Sequence, residues 1–242
     1  MPAKKGVKAA SSNKSSTHVK IDLKFPEEVI TTLDRLKQSG FEAYVVGGSL
    51  RDVLMQREPK DWDITTNALP EQIQKVFPDS WYNNKFGTVG VRMGELELEV
   101  TTYRTDLGYT DARHPDEVKF GVTLPEDLER RDFTINALAS DGSELIDLFG
   151  GIQDIQAKKI RAVGKAEDRF AEDALRMLRA VRFAGQLGFL IEEKTEAAIK
   201  RNHTLIKKVS MERIRDELMK TIASDDALRG LWYMLDTGLL QH

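Results

Sequence analysis

The hydrophobic pattern of this 242-residue chain changes character once, between residues 155 and 165. Upstream, short β-type runs alternate with amphipathic helices; from Ala166 onward only helical periodicity is left. A chain written this way folds as an α+β unit built on a small mixed β-sheet, followed by an all-helical unit. We therefore expect domains at 21–160 and 161–242. Residues 1–20 hold five lysines, no acid and no apolar periodicity, which predicts a disordered basic tail.

Spacing predicts the individual elements. Val29, Ile30, Leu33 and Leu36 share a face of a helix that starts at Pro26 and ends at Gly40. Residues 43–46 read as a strand, 49–56 as a helix, 62–66 as a strand and 70–76 as a short helix. Residues 88–93 and 95–102 read as a hairpin turned at Gly94, and Leu96, Leu98 and Val100 alternate with Glu95, Glu97 and Glu99. That alternation gives one buried face and one acidic face. Residues 104–125 read as a long polar loop, and 133–139 and 145–147 as strands. Helices are expected at 167–187, 192–202, 210–222 and 225–236. The last carries the apolar run Leu231-Trp232-Tyr233-Met234-Leu235, which calls for a partner surface, either a second copy of the chain or a separate tail domain.

Composition narrows the classes. There is no cysteine, which excludes disulfides and thiolate metal sites and suits a reducing compartment. No run of eighteen apolar residues exists and the first residues lack a signal-peptide core, so a cytoplasmic protein without a membrane partner is expected. The net charge of −3 conceals an asymmetry, because residues 158–220 carry 16 Lys and Arg against 10 Asp and Glu. An acidic front with a basic back suits carboxylates beside a polyanion-binding surface, although solvated helices give the same charge count.

Three motifs carry chemistry. Gly47-Gly48-Ser49-Leu50-Arg51-Asp52 follows the strand Tyr44-Val45-Val46, with Ser49 read as the helix start and Asp52 as its capping-box partner. Backbone N–H groups at such a start suit a polyphosphate. Asp61 and Asp63 stand two apart on an extended segment, and paired carboxylates near phosphate call for Mg²⁺. Glu99 completes the carboxylate set if its strand lies beside theirs, and two metals then activate an attacking hydroxyl and stabilise the leaving pyrophosphate; otherwise it belongs to a wet hairpin face. Arg130-Arg131-Asp132 precedes the expected strand at 133–139, and Arg131 is placed to donate to triphosphate or base. Asp173, Arg176, Arg179 and Arg182 wind along one helix, which alone also suits i, i+3 ion pairing on an exposed face. An Asp beside an Arg accepts from an exocyclic amine and donates to a ring nitrogen, a pattern met by cytosine and adenine and refused by guanine and uracil.

These motifs, in this order, resemble the class II (bacterial-type) tRNA nucleotidyltransferase and poly(A) polymerase family. Gly47 to Asp52 with Asp61-x-Asp63 is similar to its first motif, Arg130 to Ala137 to its second, and Glu172 to Arg176 to its nucleotide-selecting helix. Met211 to Leu218 is similar to a later helical motif. The resemblance implies a nucleotidyltransferase head domain, a helical neck, and transfer of CMP and AMP from CTP and ATP to the tRNA 3′ end with Mg²⁺ and pyrophosphate release. It implies Asp61 and Asp63 as metal ligands with Glu99 in support, Gly48 and Arg51 at the triphosphate, and Arg131, Asp173, Arg176, Arg179 and Arg182 at the nucleotide. The family's body and tail domains have no counterpart here. Asp106-Leu107-Gly108-Tyr109 and Arg113-His114-Pro115 depart slightly from the family's loop pattern, yet a loop of full length goes with addition of the terminal A. Poly(A) synthesis, or an RNA-binding remnant without catalysis, are the alternative readings.

Overall fold

The computed structural model describes residues 18–82, 87–107 and 117–242. β1 (His18–Lys20) precedes α1 (Glu27–Gln38), which buries Val29, Thr32, Leu33 and Leu36. β2 (Ala43–Val46) runs directly into α2 (Gly47–Leu54), and β3 (Trp62–Thr66) and α3 (Pro70–Val76) follow. β4 (Trp81–Tyr82), β5 (Thr88–Met93) and β6 (Leu96–Thr102) form a meander, in which Gly94 takes φ +58° to make the tight turn between β5 and β6. β7 (Arg104–Leu107) and β8 (Glu117–Phe120) pair as a separate ribbon before α4 (Leu124–Glu129). β9 (Leu138–Ser140), β10 (Glu144–Asp147) and α5 (Gly151–Gln156) complete the head, and β11 (Lys159–Ile160) leads out of it. The neck holds α6 (Ala166–Glu172), α7 (Leu175–Leu187), the short β12 (Leu190–Ile191), α8 (Glu193–Asn202), α9 (Met211–Ile222) and α10 (Ala227–Asp236).

Eight strands form the mixed sheet in the order β1-β10-β9-β2-β3-β6-β5-β4. Among the described residues of this sheet only β3 and β6 pair in parallel, and their register sets Asp63 opposite Glu99. Val45, Ile64, Val89, Val91, Leu98 and Val100 pack with α1 and α3 into one core. A second core centres on α7, whose Met177, Leu178, Ala180, Val181 and Ala184 are buried. Ile155 touches both. The second cluster also takes in Phe133 and Ile135 of the head, so it crosses the point where the periodicity changes.

Four local expectations are corrected. The basic tail was expected to reach residue 20, but His18–Lys20 pairs antiparallel with Glu144–Ile146 and covers the sheet edge. The segment after Arg131 is a 3₁₀ turn at Thr134–Asn136 and not a strand from 133, because the Asp132 carboxylate accepts from both the Phe133 N–H and the Asn136 amide and folds the chain back. The polar stretch 104–125 holds β7, β8 and the start of α4; its residues 108–116, including most of the loop motif, lie outside the described residues. The helix expected at 167–187 is two helices: Asp173 is extended (φ −141°, ψ 104°) and its Oδ1 accepts from the Leu175 N–H at 3.0 Å, which starts α7 anew.

Candidate active site

α2 begins at Gly47, two residues before the expected start. Ser49 lies inside its first turn, donating to the Val46 carbonyl at 2.9 Å, and Asp52 holds Arg51 in place of a capping box. Gly47 has φ +71°, and a Cβ there would stand 2.9 Å from Asp63 Oδ2 and 3.4 Å from Arg131 Nη1. Any side chain at Gly47 therefore enters the space between a carboxylate and a guanidinium. At Gly48 a Cβ would meet Arg51 only at 3.5 Å, ordinary contact. The steric constraint falls on the first glycine.

Asp61 is exposed just before β3, and Asp63 is partly buried within it. Burial raises the Asp63 carboxyl above its ordinary range; Arg131 opposes this and Asp61 adds to it. Glu99 is raised too, by burial and then by Asp63 and Asp61. Three carboxylates thus feel one another, but among the described residues no group of three His, Cys, Asp or Glu converges on a metal position. The condition set for Glu99 is met in part: β6 lies beside β3 and brings Glu99 alongside Asp63, although its side chain stands exposed and is not among the residues that line the cleft. The donor set of Asp61 and Asp63 still fits a hard divalent cation. Both offer oxygen, and a positive charge relieves the repulsion and burial that favour the protonated Asp63.

Gly48, Arg51, Asp61, Asp63, Arg131, Asp173, Arg176, Arg179 and Arg182 all line one cleft of about 1030 Å³ between head and neck. Arg and Lys outnumber Asp and Glu on its walls. Each sequence-predicted cation is already held. Arg51 is buried, donating to Asp52 and, at 2.8 Å, to Asn136 Oδ1. Arg131 and Arg130 share the buried Asp127; against the burial that would raise it, the two guanidiniums hold its carboxyl at about 2. Among the described residues the buried Arg131 Nε has no hydrogen-bond partner. Arg176 donates to Glu172, to the Arg169 carbonyl at 3.2 Å and to the Arg130 carbonyl at 2.9 Å. Arg179 grips Asp132 at 2.7–2.8 Å, and Arg182 grips Glu217 of α9 at 2.6 Å. The ring of Phe183 sits among Arg51, Arg179 and Arg182, at 5.2, 5.4 and 4.1 Å from their guanidinium carbons. The stripe is therefore no solvated face.

Sequence reasoning missed Gly47 as the constrained glycine, Phe183 as the ring between arginines, and Asp127, Asp132, Glu217 and Arg213 as holders. Asp127 was findable, since it precedes Arg130 and Arg131 at helical spacing. Glu217 and Arg213 lie in the Met211 to Leu218 motif, but their roles as holders leave no local trace, because they meet their partners across 35 and 40 residues.

A glycine-led helix and two carboxylates on a mixed sheet, facing an arginine-lined helical unit, define the nucleotidyltransferase class with a head and a neck. Residues 43–161 match the poly A polymerase head domain, and residues 188–242 match the probable RNA and SrmB-binding site of polymerase A. The chain belongs to the class II tRNA nucleotidyltransferase and poly(A) polymerase family. It is 50% identical over 226 residues to the CCA-adding enzyme of Lactobacillus helveticus, covering 91% of this chain and 56% of that one. It is 48% identical over 218 residues to the CCA-adding enzyme of Enterococcus faecalis, covering 89% and 54%. The crystal structure of the Bacillus stearothermophilus CCA-adding enzyme in complex with CTP superposes with a TM-score of 0.82 at 44% identity, covering 88% of this chain and 52% of that one. The Thermotoga maritima CCA-adding enzyme complexed with tRNA gives 0.74 at 28% identity, over 88% and 51%. The chain thus spans about half the length of the relatives it matches. No helix among the described residues is long and apolar enough to cross a membrane.

Proposed function

We propose that this chain is the catalytic portion of a template-independent RNA nucleotidyltransferase that adds CMP and AMP, from CTP and ATP, to the 3′ end of tRNA in the cytoplasm. One observation carries the reading: a single cleft gathers two carboxylates, a helix start and an arginine-rich wall. Asp61 and Asp63 hold a divalent cation, and their hard oxygens favour Mg²⁺. When bound, that ion supplies positive charge to the attacking 3′-hydroxyl and the departing pyrophosphate. The first N–H groups of α2 and the guanidiniums of Arg51 and Arg131 receive the triphosphate. Asp173 accepts from the exocyclic amine of cytosine or adenine while Arg176 donates to the adjacent ring nitrogen. Guanine and uracil leave both groups opposed by like partners, at about 1–3 kcal/mol each.

The test is incorporation of each labelled nucleotide into tRNA ending before CCA or after CC, with the 3′ ends mapped. CMP and then AMP addition is expected, lost in Asp61→Ala and Asp63→Ala while the thermal melt persists. No incorporation by the unaltered chain on any RNA primer, or full activity in either variant, overturns the reading. Long A tracts in place of CCA identify poly(A) synthesis.

A further inference from the structure

Asp173, at the break between α6 and α7, is held from a separate helix. Arg213 of α9 approaches it with both terminal nitrogens, Nη2 to Oδ2 at 2.7 Å and Nη1 to Oδ1 at 3.3 Å. Oδ1 also accepts from the Leu175 N–H at 3.0 Å. Both side chains line the cleft, and both are largely buried, at 22% and 15% exposure. A carboxylate offers about four lone-pair sites. Three donors occupy three of them, two on Oδ1 and one on Oδ2. The planar two-point contact also stops the carboxylate from turning about its own axis. One acceptor position is left, on Oδ2, in a fixed orientation.

We infer that Arg213 is a specificity-determining positioning residue for the base-selection step, acting through Asp173. The inference rests on the reading of Asp173 as the acceptor for the base amine. Guanine and uracil also carry an N–H on the pairing edge, one ring position away from where cytosine and adenine carry the amine. A carboxylate free to turn follows that N–H and accepts from it, and discrimination falls. A carboxylate clamped by Arg213 cannot follow. Arg176 is fixed independently, by Glu172 and the carbonyls of Arg130 and Arg169, so the loss of Arg213 leaves the donor half of the reader intact.

The test is equilibrium binding of CTP, ATP, UTP and GTP, each with Mg²⁺, to the full chain and to Arg213→Met, Arg213→Lys, Asp173→Ala and the Asp173→Ala/Arg213→Met double variant. The unaltered chain is expected to prefer CTP and ATP. Arg213→Met is expected to lose that preference by about tenfold, the scale of one misplaced buried hydrogen bond. Arg213→Lys, with one charge and no fork, recovers part of it. The double variant discriminates no worse than Asp173→Ala, as a residue acting only through Asp173 requires. Unchanged preference in Arg213→Met while Asp173→Ala loses its own overturns the inference and leaves the base-reading role standing. Equal weakening of all four nucleotides in Arg213→Met reduces Arg213 to a structural part and likewise overturns it. If Asp173→Ala also keeps the preference, the reading of Asp173 falls and takes the inference with it. Should Arg213→Met fail to melt cooperatively, Arg213→Lys decides: intact preference there refutes the clamp.

Discussion

At Gly47 the backbone and the chemistry make the same demand. The φ of +71° strains any other residue, and a methyl group 2.9 Å from Asp63 Oδ2 pushes that carboxylate out of place. Gly47→Ala is expected to lose nucleotide incorporation and about 1–2 kcal/mol of stability in urea denaturation, from backbone strain alone. Gly48→Ala, with its Cβ in ordinary contact, is expected to keep the stability. A reversed order of the two variants would place the constraint on the wrong glycine. Asp63 carries a second prediction. Burial holds its carboxyl above the ordinary range. A cation binding there competes with a proton, so Mg²⁺ affinity is expected to fall as the pH drops through that raised value, with more protons released per ion bound at acidic than at neutral pH. Titration calorimetry in buffers of different protonation enthalpy measures this, and Asp63→Asn should abolish the proton release.

At the scale of elements, α7 and α9 are joined by a buried charge pair. Glu217 is 4% exposed and accepts from Arg182 at 2.6 Å, with Arg179 at 4.0 Å. Removal of the acid leaves buried guanidinium charge without its partner, so Glu217→Ala is expected to cost about 3 kcal/mol in chemical denaturation. The exposed Lys220, also near Glu217, should contribute little. Elements governed by backbone pattern were legible in the sequence. The alternation of Leu96, Leu98 and Val100 announced β6 and its acidic face, and the parallel register with β3 bears that out. Elements governed by one side chain were not. Asp132 turns the chain after Arg131, and Asp173 breaks α6 from α7, each through hydrogen bonds that periodicity does not encode. The motif residues of the cleft were legible as types in order, but which partner each would find depends on the neck folding onto the head.

Across the whole molecule, two buried acids tie that arrangement to pH. Arginines hold Asp127 and Asp132 at about 2 despite burial, below the ordinary carboxylate value of 3.8. The sign follows from the depressed folded value. The stabilisation is fully present above the ordinary value and is lost as pH falls toward about 2. Urea midpoints should therefore drop steeply between about pH 4 and pH 2. Asp132→Asn should flatten that slope, because the Asp132 to Arg179 pair spans head and neck. A variant that kept the full slope would remove Asp132 from the account.

The neck also grips the head where substitution cannot reach. Arg169 and Arg176 donate to the main-chain carbonyls of Glu129 and Arg130. Every amino acid at those two positions presents the same oxygen. On the head's side this part of the contact is therefore insulated from mutational drift, even at position 130, whose side chain is separately committed to Asp127. Alanine scanning of the head would pass over this contact without registering it, and only the two arginines on the neck would reveal that it exists.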